Sequence, residues 1–269
     1  MPFDLQAVID AISDTRFAGR IHHLDSVTST NTLALEAAQA GARESVWIAD
    51  EQTAGRGRGS HGWHSAAGDG LYVSALVRPP LPPTDALRIS LATGVAAKAA
   101  IAETTGAEID IRWPNDLLIG TKKCGGILVE TAMTPEQNGS PAMLRYAVIG
   151  IGINLNYATF PDELSSFATS LRIATGKLIS REDLLSALLH HIEREMIFLK
   201  RDSHGTNDNS SLLERFAAAS TWVQGKRVHV AEAGGYTGMT AGLDSSGFLL
   251  VDGDDGQRHT VLSGGVREL

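Results

Sequence analysis

The sequence predicts an α+β protein: a larger N-terminal domain of mixed strands and helices, residues 1–220, followed by a small β-barrel domain, residues 221–269. Three observations predict it. Long amphipathic helices and apolar strand-like runs alternate irregularly as far as residue 200. From Trp222 onward only short β-type pieces remain, punctuated by glycine. Finally, 269 residues with 43% hydrophobic and 20% charged content describe an ordinary globular chain able to bury a substantial core.

The elements follow in order. Residues 29–32, S-T-N-T, offer short polar N-caps to a helix that continues through L-A-L-E-A-A-Q-A to a stop at Gly41. The bare N–H groups at its positive end suit a carbonyl or an anion, although capping alone accounts equally well for Ser29 and Thr30. Strands at 46–49 and 71–77 flank an arginine- and glycine-rich loop. Pro79, Pro80, Pro82 and Pro83 form a stiff connector before a helix on which Leu87, Leu91, Val95, Ala99 and Ala102 share one face. A strand at 109–113 is halted by Pro114, and residues 117–119 and 127–129 pair as a hairpin with Gly120-Thr121 at its turn. Residues 146–153 form another apolar strand, in which Gly150 and Gly152 clear one face for a ligand.

A second long helix starts after Ser180, whose spacing to Asp183 is a capping signature, and carries Leu184, Leu188, Ile192, Glu195 and Leu199 along one stripe. Adjacent His190 and His191 point in different directions on it, which argues against a two-ligand metal site. Residues 202–211 contain no large apolar side chain and read as a mobile loop. Short strands at 227–230, 238–243, 248–251 and 260–262 then bury too little by themselves, so this unit is expected to pack on the larger domain.

A net charge of −8 argues against broad nucleic-acid binding, which rests on a basic surface. Only 25 residues precede Ser26, too few for a helix-turn-helix domain, so no DNA binding is expected. No apolar run is long enough to span a bilayer, and the start M-P-F-D-L-Q lacks the features of a signal peptide. A cytoplasmic protein without membrane contact is expected. The single cysteine, Cys124, excludes an intramolecular disulfide and reads as a small buried residue.

Two segments carry chemistry. Residues 55–63 read G-R-G-R-G-S-H-G-W: glycines allow close backbone approach, Arg56 and Arg58 supply rigid forks for carboxylate or phosphate, and Trp63 could stack on a flat ring. Residues 112–130 read R-W-P-N-D-L-L-I-G-T-K-K-C-G-G-I-L-V-E. Here Asn115 and Asp116 stand at a strand end, and Lys123 lies beside the bare backbone of Gly125 and Gly126. A cation next to bare backbone suits an anion.

Together with Ser29-Thr30-Asn31, Gln52 and Gly150-Ile151-Gly152-Ile153-Asn154-Leu155-Asn156, the motifs Gly55-Arg56-Gly57-Arg58, Trp113-Pro114-Asn115-Asp116 and Lys123-x-x-Gly126-Ile127 resemble the biotin protein ligases, in that family's order across residues 29–156. The resemblance implies a mixed-sheet catalytic domain related to class II aminoacyl-tRNA synthetases and a C-terminal SH3-like β-barrel. It implies an ATP-dependent ligase that activates biotin as biotinyl-5′-AMP and transfers it to a lysine of the biotin carboxyl carrier protein or domain of an acetyl-CoA, acyl-CoA or pyruvate carboxylase. ATP would bring Mg²⁺.

By motif position, Ser29, Thr30, Asn31, Gln52, Gly55, Arg56, Gly57, Arg58, Lys123 and Gly126 are implied to bind biotin. Arg56, Arg58, Trp63, Asn115, Lys123 and Asn154 are implied to bind ATP, with Lys123, Arg58 and Asp116 catalytic. Asp116 has two open roles, holding Mg²⁺ or orienting the incoming lysine. The glycine-rich loop is expected to order when ligand binds. Two positions depart from the family pattern: His61 stands where an arginine is common, and Arg112 where lysine is more usual. The rival readings are a lipoate or octanoate ligase of the same superfamily, and a phosphate- or RNA-binding module without catalysis.

Overall fold

The computed structural model describes residues 3–59, 61–136, 141–202 and 211–269. The interior of the loop expected at 202–211, and Ser60 of the arginine loop, lie outside the described residues. The chain opens with α1 (Leu5–Ala11), β1 (Ile21–Val27), α2 (Thr30–Gln39), β2 (Ser45–Gln52), β3 (Gly70–Val77) and α3 (Ala86–Thr105). Next come β4 (Asp110–Arg112), β5 (Asp116–Ile119), β6 (Lys122–Thr134) and β7 (Met143–Asn154), then α4 (Asp162–Ser165), α5 (Leu171–Thr175), α6 (Arg181–Asp202) and α7 (Leu212–Ala219). Five short strands finish it: β8 (Gln224–Val230), β9 (Tyr236–Leu243), β10 (Leu249–Gly253), β11 (Arg258–Val261) and β12 (Val266–Glu268).

The first seven strands form one mixed sheet in the order β1-β2-β3-β7-β6-β5-β4, in which β1 and β2 run parallel and every other pair antiparallel. Strand alternation assigns its two faces. Val46 and Ile48 of β2, Val73, Ala75 and Val77 of β3, and Ile149 and Ile151 of β7 join the main core, which includes apolar residues of α3 and α6. Trp47, Leu76, Tyr146 and Val148, one step out of phase, meet Ala34 and Ala38 of α2 in a smaller cluster on the opposite face. That second face changes character along its length. Leu76 pairs with Val148, but Ser74 pairs with Gly150 and Tyr72 with Gly152, so beyond α2's apolar contacts Ser74, Gly150 and Gly152 leave room on this face.

The long helices match their sequence signals. Gly106, at φ +70°, ends α3, and the Ser180 hydroxyl accepts the Asp183 N–H at 3.1 Å at the start of α6. The proline connector is pinned where the buried Leu81 accepts the Leu144 N–H through its carbonyl. His190 and His191 diverge as expected: His191 reaches Glu103 at 2.9 Å, while His190 faces the Ala11 carbonyl. Sequence patterning missed α1, β1, α4, α5, α7 and β12. Strand β1, I-H-H-L-D-S-V, is an edge strand whose polar residues hide its period. Among the described residues no helix is long and apolar enough to cross a membrane.

The C-terminal strands form an antiparallel sheet in the order β11-β10-β9-β8-β12, the unit that the resemblance implies to be SH3-like. Its buried face, Val228, Val230, Leu249, Val251, Val261 and Val266, merges with the main core, so the unit packs on the larger domain as expected. Polar clasps fix the contact: buried Trp113 donates its indole N–H to the Gly247 carbonyl at 2.9 Å, and Arg88 donates to the Ser245 carbonyl at 2.7 Å. Trp113→Phe removes the first clasp and leaves that carbonyl without its indole donor. It is expected to lower stability by about 1–3 kcal/mol, read as a shift in the urea unfolding midpoint with unchanged slope.

Candidate active site

The hollow on the α2 face opens into a cleft of about 440 Å³ including its mouth. One wall is neutral and polar. Ser29, Thr30 and Asn31 begin α2 and are buried, yet Ser29 makes no side-chain cap bond. The N-terminus of α2 is satisfied from β2 instead: the Gln52 side-chain carbonyl accepts the Thr30 N–H at 2.9 Å and lies 3.1 Å from its hydroxyl. The Gln52 amide in turn donates to Ser65 Oγ at 2.9 Å. Ser74 Oγ stands 2.8 Å from Thr30 Oγ1 and 2.5 Å from Asn31 Oδ1, and the Asn31 amide donates to Glu130 at 3.0 Å. These bonds lock Thr30, Asn31 and Gln52 into single orientations, which is what a small polar ring needs from its site.

The opposite side is cationic. Lys123 projects from the start of β6, its ammonium 2.6 Å from Asp116 Oδ1, while Arg112 bonds Asp116 Oδ2 at 2.5 Å. Burial pushes the Asp116 carboxyl up, but Lys123 and Arg112 together hold it below the usual carboxylate range. Arg58 donates one Nη to Asn115 Oδ1 at 3.0 Å and the other to the Ser263 carbonyl. Asn115 is itself anchored by donating to the Ile127 carbonyl at 2.9 Å. Desolvation lowers the Arg58 pKa, with Asp116 and Glu232 opposing that change. Arg56 forms a two-bond pair with Glu130 at 2.7 and 3.1 Å, tying the loop to β6.

The glycines serve side chains before they serve a ligand. A Cβ on Gly150 would lie 2.1 Å from Asn31 Oδ1, and one on Gly152 would lie 2.4 Å from Trp63 Nε1. The expected ligand face of β7 is therefore filled here by Asn31 and by the Trp63 indole, which also lies 5.4 Å from the Lys123 ammonium. Trp63 Nε1 is buried without a hydrogen-bond partner among the described residues. Gly55 forms the neck of the loop, where its carbonyl accepts the Trp63 N–H at 2.8 Å and a Cβ would meet Trp63 O at 2.5 Å.

Of the predicted site residues, Ser29, Thr30, Asn31, Gln52, Arg56, Gly57, Arg58, Trp63, Asn115, Lys123 and Gly126 line the cleft. Gly55 and Asp116 lie just behind it. Asn154 lies outside this lining, at the end of β7, where its amide donates to the Thr169 carbonyl at 3.0 Å and approaches the Lys123 carbonyl at 3.5 Å. It thus braces the segment whose Phe167 carbonyl accepts the Lys123 N–H at 2.7 Å. His61 stays with its own loop, its Nδ1 3.0 Å from the Arg58 carbonyl. Ser65, Ser74, Glu130, Glu232 and Ser263 were missed. Only Glu130 carried a signal, as the last residue of the W-P-N-D hairpin segment.

A mixed sheet bearing a polar and cationic cleft, followed by a small antiparallel sheet, marks out a class, the biotin and lipoate protein ligases. Residues 24–154 match the Biotin/lipoate A/B protein ligase family and residues 224–266 the Biotin protein ligase C terminal domain. The chain is 37% identical over 242 residues to the bifunctional ligase/repressor BirA of Bacillus subtilis, covering 88% of this chain and 70% of that protein. It is 33% identical over 244 residues to the biotin–[acetyl-CoA-carboxylase] ligase of Mycobacterium tuberculosis, covering 88% and 84%. The structure of the Aquifex aeolicus biotin protein ligase in complex with biotin and ATP superposes with a TM-score of 0.74 at 27% identity, covering 93% of this chain and all of that one. The chain belongs to the biotin protein ligase family.

Two outcomes follow from the site's electrostatics. Asp116 has a folded pKa below its unfolded value, so its contribution to stability is complete above about pH 4 and fades as pH falls through the folded value. Asp116→Asn is expected to cost about 1–3 kcal/mol at pH 7, discounted for its part-exposed partners, and to flatten the acid limb of stability measured by urea titration from pH 7 to 3. Burial pushes the Cys124 thiol up to about 12. Ellman's reagent at pH 8 should leave it unmodified in the folded protein and react with one thiol per chain in denaturant.

Proposed function

We propose that this protein activates biotin with ATP as biotinyl-5′-AMP and passes the biotinyl group to a lysine of a biotin carboxyl carrier protein or domain. The observation that carries the reading is the convergence of Lys123, Arg56 and Arg58 on a cleft whose other wall is neutral, with Ser29 beside the locked side chains of Thr30, Asn31 and Gln52. In the first step a carboxylate attacks the α-phosphorus of ATP, the α–β phosphoanhydride bond breaks and pyrophosphate leaves; two anions must meet, and cations already in place offset their repulsion. Lys123 lies between the two reacting groups, Arg58 takes the phosphates and Arg56 closes the loop. The neutral wall suits a ureido ring, with two N–H donors and one carbonyl acceptor. Trp63 and Asn115 form the nucleotide side, and loop closure shields the mixed anhydride from water. In the second step a neutral carrier lysine attacks the acyl carbon and AMP leaves.

Asp116 fits the orienting role better than the metal role. Both of its oxygens are engaged by cations, and among the described residues that line the cleft there is no carboxylate. Mg²⁺ therefore arrives as the counter-ion of ATP, and no protein ligand is assigned to it. Residues 1–220 form the catalytic domain and 221–269 the SH3-like domain, and the cytoplasm, where ATP and apo-carboxylases occur, is the proposed location.

Lys123→Ala is expected to lower biotin-dependent exchange of pyrophosphate into ATP by about 10²–10³-fold while the protein stays folded, read as an unchanged far-UV circular dichroism spectrum. Near-normal exchange in that variant removes Lys123 from the mechanism. Exchange by the wild type that depends on lipoate or octanoate, with none on biotin, would overturn the substrate assignment.

A further inference from the structure

Glu232 lies outside the cleft, in the short turn Glu232–Gly234 between β8 and β9. Its carboxylate holds a second loop, the one between β11 and β12. Oε2 accepts the Leu262 N–H at 2.9 Å, and Oε1 accepts the Ser263 N–H at 2.5 Å and the Ser263 hydroxyl at 2.7 Å. The loop continues through Gly264 and Gly265, at φ +93° and +82°, conformations that favour glycine. Held this way, it presents the Ser263 carbonyl to Arg58. With Asn115 on the other Nη, the guanidinium is gripped from both domains at once. A Cβ on Gly264 would stand 3.0 Å from Arg58 Nη1, so the loop fits against the arginine as well as bonding it.

Arg58 needs such a grip. It sits between Gly57 and Gly59 on a glycine-rich loop, and a long side chain on such a backbone loses much conformational freedom when it binds phosphate. A clamp formed beforehand lowers that cost and leaves the charge where the nucleotide arrives. The Glu232 carboxylate can hold the loop because it stays charged. Although burial pushes its pKa up, hydrogen bonds from Leu262, Ser263 and Gly264 hold it below the usual range, so it is ionised at neutral pH. Its charge also acts on Arg58.

We propose that Glu232 is a positioning residue for ATP, fixing the 262–265 loop so that the SH3-like unit clamps Arg58 over the cleft. The proposal rests on the reading of Arg58 as a contact of the nucleotide phosphates. Glu232→Gln keeps the shape but loses one acceptor oxygen, so either the Leu262 N–H or the Ser263 N–H loses its acceptor. The variant is expected to raise the apparent KM for ATP in biotin-dependent pyrophosphate exchange by about tenfold, with the Kd for biotin unchanged. A general structural defect would move both. Gly264→Ala, which pushes directly on the guanidinium, is expected to act in the same direction.

The decisive measurement is a double-mutant cycle on equilibrium binding of a non-hydrolysable ATP analogue in the presence of biotin, which needs no turnover. On the Arg58→Ala background Glu232→Gln should cause no further loss of affinity. Additive losses, or a wild-type ATP KM in Glu232→Gln, would overturn the proposal. A wild type that neither turns over nor binds nucleotide in the presence of biotin would instead bring down the ligase reading on which it rests.

Discussion

Three cations directed at one cleft repel each other, and the structure depends on how each is held. Lys123 is paired with Asp116, Arg56 with Glu130, and Arg58 is gripped by an amide and a carbonyl. The choice of partner separates their roles. Asp116 carries Arg112 as well as Lys123, so a part-buried carboxylate with two cations leaves net positive charge at the point where a carboxylate and a phosphate must approach. Arg58, by contrast, is bonded directly only by neutral groups, an amide and a backbone carbonyl, while the charges of Asp116 and Glu232 act on it without bonding it. The Arg56–Glu130 pair is the most exposed of the three, with Arg56 at 43%, and so is the easiest to exchange for a substrate anion.

The fold supplies these partners from distant parts of the chain. Asp116 and Lys123 are brought together by the β5–β6 hairpin, and β6 lies against β7, where Asn154 and the 167–169 segment brace the Lys123 backbone. The neutral wall depends on the opposite end of the same sheet, where Gln52 of β2 serves the N-terminus of α2. Gln52 thus does the capping that Ser29 does not, which leaves Ser29 on the cleft lining. The SH3-like unit contributes a backbone carbonyl to the arginine loop and buries its own apolar face in the main core, so it is part of the site's frame.

Much of this was legible in the residues. The long helices announced themselves by 3.6-residue periodicity and caps, the central strands by apolar runs, and the hairpin by Gly120 at its turn, which has φ +58°. Most of the chemistry-bearing residues lie in contiguous motifs, because a loop or hairpin that meets a ligand has to present several groups from neighbouring positions. Strand β1 escaped because an edge strand can alternate polar residues without penalty, and α7 because it follows a polar stretch.

By itself the sequence determined the class of fold, the order of the two long helices and the central strands, the loop that carries Arg56 and Arg58, and the hairpin that carries Asp116 and Lys123. These depend on local propensity, on hydrophobic period and on motif spacing, all of which act within a few residues. Only the tertiary structure decided that Gly150 and Gly152 make room for Asn31 and Trp63, that Asn154 braces a backbone segment, and that Ser263, held by Glu232, reaches Arg58 from 205 residues away. Such contacts leave no local pattern, because they are set by which surfaces of the sheet and the SH3-like unit meet when both bury their apolar faces in one core.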